Sequence, residues 1–187
     1  MSDSEEAVRR FIAGDDDAFE QLVRLWEKRI YNLALRFLGS REDAQDIVQE
    51  TFISVFKSLR SLRDPRRFPA WLYRISLNHC RGRWRSRPDE VPLGADVEGE
   101  PDARTSVRST ADPVAGAHDR LEVVDLIRKS LMSLSEDHRA AIVLKEYAGL
   151  SLEEVATVME CPLSTAKSRL YHGLRGVQHN LRKLGLK

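Results

Sequence analysis

Five histidines, two cysteines and a run of three aspartates are the residues of this 187-residue chain that could hold a metal or move a proton. Their spacing argues against both. His79 neighbours Cys80, and adjacent residues on a helix diverge instead of converging on one ion. Cys80 and Cys161 are too few for a disulfide framework or, by themselves, a four-ligand zinc site. No H-E-x-x-H, G-x-S-x-G, C-x-x-C or phosphate-cradling glycine loop occurs. Asp15-Asp16-Asp17 stand before an apolar helical stripe, where acids ordinarily cap the helix and meet its dipole. The sequence predicts no catalytic residue, no metal and no cofactor.

Binding chemistry is better represented. From residue 163 to the end there are six basic groups and no acid. Ser164, Thr165, Lys167, Ser168, Arg169, Tyr171, His172 and Arg175 crowd one stretch of it. Short hydroxyls, Lys and Arg at the start of a helix can meet base edges and phosphates in a major groove. A second basic block, residues 57–87, holds ten basic groups and one acid, Asp64. Phe68, Trp71, Tyr73 and Trp84 lie among its arginines. Aromatic rings interleaved with cations suit single-stranded nucleic acid, where unstacked bases find new π partners. Trp71 and Leu72 read as partly core. Tyr73, Arg74, Asn78 and Arg81 read as outward-facing, and Asn and Arg can both pair two-pronged with a base edge.

The elements that must carry these residues read as helices throughout. Phe19, Leu22, Val23, Trp26, Ile30, Leu33, Ala34 and Phe37 recur at three- and four-residue steps from Asp17 onward. Gly39 is suited to stop that helix, and Ser40 with Asp43 to start the next. Ala44, Ile47, Val48, Phe52, Val55, Phe56 and Leu59 form its stripe, opposite a polar face of Glu42, Asp43, Asp46, Gln49 and Glu50. A third helix is expected to begin near Pro69. Beyond residue 118, Ser151 and Glu154 form a capping-box pattern ahead of a short helix. Glu160-Cys161-Pro162 then turns into the basic final helix, with Leu163, Ala166, Leu170 and Leu174 expected on its buried side. A short capped helix, a tight turn and a longer basic helix make a helix-turn-helix.

The stretch 88–118 is acidic, rich in Pro, Gly and Ser, and devoid of aromatics, so it cannot bury enough apolar surface to offset its ordering entropy. The expected fold is all-α: two small helical domains, 1–87 and 119–187, joined by a flexible acidic linker at 88–118. Thirty-one linker residues reach about 100 Å extended and average about 30 Å as a coil, so the domains are expected to move independently in the free chain. No apolar run is long enough for a membrane span, and the acidic N-terminus has no signal core, so a cytoplasmic location without membrane insertion is expected.

DAFEQLVRLWEKRIYNLALRFLGSREDAQDIVQETFISVFKSL followed by FPAWLYRISLN resembles the promoter-melting domain of the extracytoplasmic-function (ECF) sigma factors of bacterial RNA polymerase. The segments from Leu134 (LSEDHRAAIVLKEYAGLSLEEVA) and from Cys161 (CPLSTAKSRL) resemble that family's promoter-binding domain. The resemblance implies that Asp43, Asp46, Ile47, Gln49, Glu50 and Phe52 dock on the β′ clamp helices of core RNA polymerase. The β subunit is a further implied contact. It implies that Phe68, Trp71, Tyr73, Arg74, Asn78, Arg81 and Arg85 capture the melted, single-stranded minus-ten element, with Asn78 facing a flipped-out base. It places Ser164, Thr165, Lys167, Ser168, Arg169, Tyr171, His172 and Arg175 at the positions that read the duplex minus-thirty-five element. An anti-sigma factor is implied as a partner. Phe68-Pro69-Ala70-Trp71 departs from the family's usual F-x-T-W in lacking a hydroxyl at Ala70, and His172 stands where many members carry Arg.

Two other readings compete. A helix-turn-helix regulator acting without polymerase would explain residues 135–183 but neither the aromatic-basic block nor the acidic face before it. An RNA-binding or adaptor protein would leave the helix-turn-helix unused. If the acidic face is a docking surface, Asp46→Arg with Glu50→Arg is expected to spare folding, sharply weaken polymerase binding and abolish promoter-dependent transcription.

Overall fold

Helix begins before the first long stripe does. In the computed structural model, which describes residues 3–87 and 117–183, α1 (Asp3–Ile12) precedes the expected start at Asp17. Three acids in its first turn suit the helix dipole. Ala7, Val8 and Phe11 make the short apolar face that holds it, with the Phe11 ring 5.4 Å from Phe19 and 5.6 Å from Phe56. α2 (Asp17–Leu38) buries Leu22, Trp26, Ile30, Leu33, Ala34 and Phe37 along one side. It stops at Gly39, whose φ of 71° is open to glycine at little cost and whose N–H bonds the Leu35 carbonyl. Ser40 then caps α3 (Arg41–Ser58), its Oγ accepting the Asp43 N–H at 3.2 Å. Two tight turns, Leu59–Ser61 and Pro65–Arg67, lead into α4 (Phe68–Arg85), with Pro69 in its first turn. Trp26 stands edge-on to both Phe68 (5.9 Å) and Tyr73 (5.7 Å), tying α4 to α2.

Residues 117–183 are also helical. α5 (Ala117–Met132) is followed by α6 (Glu136–Ile142), which runs on through a π turn at Val143–Tyr147. α7 (Leu152–Val158) carries the expected capping box, with Ser151 Oγ accepting from Glu154 N and Glu154 accepting from Ser151 N. α8 (Leu163–Lys183) follows the turn at Glu160. Glu160 has φ of 52°, the one non-glycine in the left-handed region among the described residues. No strand occurs among them.

One expectation needs correction. Leu174 does not join the buried side of α8: it is 38% exposed, and Gly173 is buried instead. A Cβ at Gly173 would lie 3.0 Å from the His138 carbonyl oxygen and 2.9 Å from Ile142 Cδ1, so α6 and α8 are in tight contact there. The two helical halves are in contact. α2 packs on α5 and on the π turn, and α4 on α7. The stretch expected to link them falls almost wholly outside the described residues; α5 already begins at Ala117.

Arg139 of α6 explains the packing. It is completely buried, and each polar nitrogen has a carbonyl partner: Leu131 from Nε, Phe37 from Nη1, and Met132 and Leu134 from Nη2, all at 2.9–3.0 Å. Its guanidinium carbon lies 3.8 Å from the centre of the Trp84 ring and 5.4 Å from that of Phe37. Burial, with the charge of Arg87 nearby, pulls its pKa down to about 10, still well above neutrality. A buried cation is tolerated because its donors are paired and an aromatic face covers it.

Candidate nucleic-acid interface

α8 owes its place to Ala166, Gly173 and the half-buried Leu170 and Val177, which fix one side against α6 and α7. The opposite side is polar. Ser164, Lys167, Ser168, Tyr171 and Arg175 are exposed at three- and four-residue steps, forming a single row. The Arg175 guanidinium lies 5.6 Å from the Tyr171 ring centre. Thr165 and His172 are half-buried beside this row, and His172 lies 6.1 Å, ring to ring, from His138. Arg169 points another way and pairs with Asp137 of α6 at 2.5 Å.

α4 separates its predicted residues into two groups. Phe68 and Tyr73 are buried, so they support the helix and present no face to a base; burial also raises the Tyr73 pKa. The expectation of an outward Tyr73 is therefore corrected: Trp26 covers it. Trp71 is half-buried against Phe68. Asn78 is exposed. The arginines are engaged: Arg74 with Glu160 at 3.0 Å, Arg81 with Asp137 at 2.8 Å and with Glu136 at 2.9 Å, and Arg85 with Glu136 at 2.9 Å. His79 faces α3, with Nε2 2.9 Å from Ser54 Oγ and Nδ1 3.3 Å from Glu50.

The acidic face of α3 is more occupied than the sequence suggests. Arg83 donates to Asp43 (3.1 Å), Asp46 (3.0 Å) and Glu50 (2.8 Å), and Arg87 also pairs with Asp43. Asp46 and Glu50 push the Arg83 pKa above its already high value. Burial works to raise the Asp43 pKa, but Arg87, Ser40 and Arg83 outweigh it and hold the carboxyl below 3.8. Ile47 and Phe52 are core residues and cannot contact a partner directly. The expectation that Asp46→Arg with Glu50→Arg spares folding is likewise corrected, because it would set two new cations against Arg83. Beside these acids, Gln45, Val48 and Gln49 of α3 and Glu27, Lys28 and Tyr31 of α2 line an open groove of about 590 Å³.

Several of these residues escape a reading of the sequence. Arg83, Arg87 and Arg139 read as surface charge, and Glu136, Asp137 and Glu160 as ordinary acids. Tertiary packing gives them partners: α3 for Arg83 and Arg87, the arginines of α4 for Glu136, Asp137 and Glu160, and the carbonyls of Phe37, Leu131, Met132 and Leu134 for Arg139. Among the described residues no three His, Cys, Asp or Glu side chains gather as a metal site. Asp15 and Asp16 of the aspartate run pair with Arg10 and Arg60. No described helix is long and apolar enough to cross a membrane.

Comparison with known proteins adds the family. Residues 22–88 match Sigma-70 region 2, and residues 125–175 match Sigma-70, region 4. The chain is 33% identical to the RNA polymerase sigma-H factor of Pseudomonas aeruginosa, over 96% of this chain and 94% of that one. It is 33% identical to the ECF RNA polymerase sigma factor SigW of Bacillus subtilis, over 95% and 96% respectively. Its fold is similar to that of the sigma factor RpoE of Bartonella quintana, solved with the anti-sigma factor NepR. The TM-score is 0.64 at 26% identity, covering 88% of this chain and 96% of that one.

Proposed function

This chain belongs to the ECF sigma factors of RNA polymerase, and we propose that its two helical halves divide the reading of a promoter between them. The exposed row on α8, Ser164, Lys167, Ser168, Tyr171 and Arg175, reads the minus-thirty-five element as duplex, with Thr165, Arg169 and His172 alongside. α4 holds the minus-ten element as a melted strand: Asn78 meets a base, Trp71 offers a ring edge, and Arg74, Arg81 and Arg85 meet phosphates. Phe68 and Tyr73 keep α4 in place. α3 and the α2–α3 groove take the β′ clamp helices, with Gln49 and the outer edges of Asp46 and Glu50 as contacts and Ile47 and Phe52 as support. The observation that carries the reading is the α8 row, an acid-free polar face at helical spacing in the second helix of a helix-turn-helix.

The chain acts as an initiation factor on core polymerase in the cytoplasm, and supplies recognition where the polymerase supplies catalysis. By likeness to the RpoE–NepR complex, an anti-sigma factor is a further partner. Transcription by core polymerase carrying this chain, run over a promoter library, tests the division. Exchanging Lys167, Ser168 and Tyr171 should change preference at the upstream element alone. Asn78→Ala should relax discrimination at one downstream base by roughly 1–3 kcal/mol. If both variants shift the same element, or Asn78→Ala alters neither selectivity nor opening, the division is wrong. A chain that binds duplex but never core polymerase would instead be an ordinary regulator.

A further inference from the structure

The seam between α3 and α4 holds a serine, a histidine and a carboxylate in sequence of contact. Ser54 Oγ lies 2.9 Å from His79 Nε2, and His79 Nδ1 lies 3.3 Å from Glu50 Oε2. The carboxylate favours a proton on Nδ1, which leaves Nε2 to accept from the Ser54 hydroxyl. Helical hydroxyls commonly bond their own backbone, as Ser58 does to the Ser54 carbonyl and Thr157 to that of Glu153. Ser54 instead turns its hydroxyl across to α4. The three side chains are open to small molecules: His79 is 29% and Glu50 43% exposed, and Ser54 is half-buried. Nucleophile, base and orienting acid in that order are the parts of an acyl-transfer site. We propose that Ser54 is an acyl-acceptor site for small acyl phosphates, with His79 as general base and Glu50 as its positioning residue.

The surroundings favour a single acylation over repeated hydrolysis. Ser54 Oγ attacks the acyl carbon, and its proton passes to His79 Nε2. The bond from that carbon to the phosphate oxygen breaks, and the phosphate leaves with the proton that His79 holds. Lys57 stands three residues on along the same side of α3, exposed and without an acid partner among the described residues. It is the cation within reach of the phosphate and of the developing oxyanion. The amides around Ser54, inside α3, are spent on the helix and supply no oxyanion hole. An acyl phosphate carries a good leaving group and needs little further help, whereas the serine ester that forms has a poor one. The ester therefore outlasts its formation, and the site is marked without turning over.

Acetyl phosphate, applied to the full chain without polymerase, is the probe. Peptide mapping should find an acetyl group on Ser54 that neutral hydroxylamine removes, as it removes esters and not lysine amides. Ser54 should react roughly tenfold faster or more than exposed Ser61 and Ser168 of the same molecules, and urea should abolish that preference. His79→Gln keeps hydrogen bonding and loses the base, so it should slow Ser54 by about a hundredfold, the low end of what a positioned base supplies. Glu50→Gln should slow it by about tenfold. Arg83→Met loosens the same seam but leaves His79 and Glu50 in contact, and should stay within about threefold of wild type. Equal losses in these two variants would overturn the positioning role. Lys57→Met should slow acetyl phosphate and spare the neutral donor p-nitrophenyl acetate; equal slowing of both overturns the choice of acyl phosphates. Circular dichroism checks each fold, and if His79→Gln unfolds, the comparison of serines within the wild-type chain still decides. No ester at Ser54, a rate no greater than that of Ser61 and Ser168, or an unchanged rate in folded His79→Gln overturns the proposal.

Discussion

Replacing Arg83 by methionine isolates the cation that joins α4 to the acidic face of α3. Methionine keeps an unbranched apolar stem of similar reach and removes only the guanidinium. Arg83 is 28% exposed and its partners Asp43, Asp46 and Glu50 are 20–47% exposed, so this is a half-wet network and not a buried triad. Pairs in that setting contribute about 0.2–1 kcal/mol each, and three of them up to roughly 3. Asp43 retains Arg87, which reduces the loss. Asp46 and Glu50, one helical turn apart, then repel by a few tenths of a kcal/mol. The expected destabilisation is roughly 1–2 kcal/mol, or about 2–8 °C in melting temperature for a chain of this size. Urea unfolding at about 0.05 M and 1 M salt checks the cause, because the screening length shrinks from well over 10 Å to about 3 Å. The difference should fall by at least half at high salt. A loss under about 0.5 kcal/mol at low salt, or one that salt leaves unchanged, would refute the network as a structural element.

Other outcomes follow from the same structure. Asp43 has its pKa depressed in the folded chain, so its contribution is complete above 3.8 and is lost as pH falls through the lowered value; the stability gap between wild type and Asp43→Asn should close on acidification. Gly173→Ala should destabilise by roughly 1–2 kcal/mol despite its better helix propensity, because the His138 carbonyl cannot move aside. Gly176→Ala, which meets only the end of the Leu134 side chain, should cost less, and calorimetry on the pair decides. Cys80 is buried and its thiol pKa is pushed up to about 12, whereas Cys161 is half-buried. A thiol reagent near pH 8 should therefore modify Cys161 first and Cys80 only on unfolding, and two equally fast thiols would contradict the packing of α4.

Local signals in the sequence carry a good part of the fold. Gly39, Ser40, Ser151 and Glu154 announce helix ends through chemistry confined to four or five residues, and the structure uses each of them so. The long stripes of α2 and α3 are legible because apolar residues at helical period can face only one way. α1 escapes because its apolar face is short and set among acids. Leu174 and Gly173 exchange roles because helix-to-helix distance, not residue polarity, decides which side of α8 is inside. The exposed row of α8 can be read from spacing. What cannot be read is where a long charged side chain ends. Arg83 binds acids more than thirty positions away, and Arg139, polar in any scale, is fully buried because four carbonyls and Trp84 receive it. Such partners are fixed by tertiary packing, which no local pattern encodes.

The division of promoter reading is most directly tested by photo-crosslinking from two positions, 78 on α4 and 171 on α8, in the complex of this chain with core polymerase and promoter DNA. Position 171 should crosslink both strands of the upstream element, whether or not the downstream DNA has melted. Position 78 should crosslink one strand of the downstream element, and only under conditions where that element is open. Crosslinks from position 78 to both strands of closed duplex, or from both positions to the same element, would contradict the account.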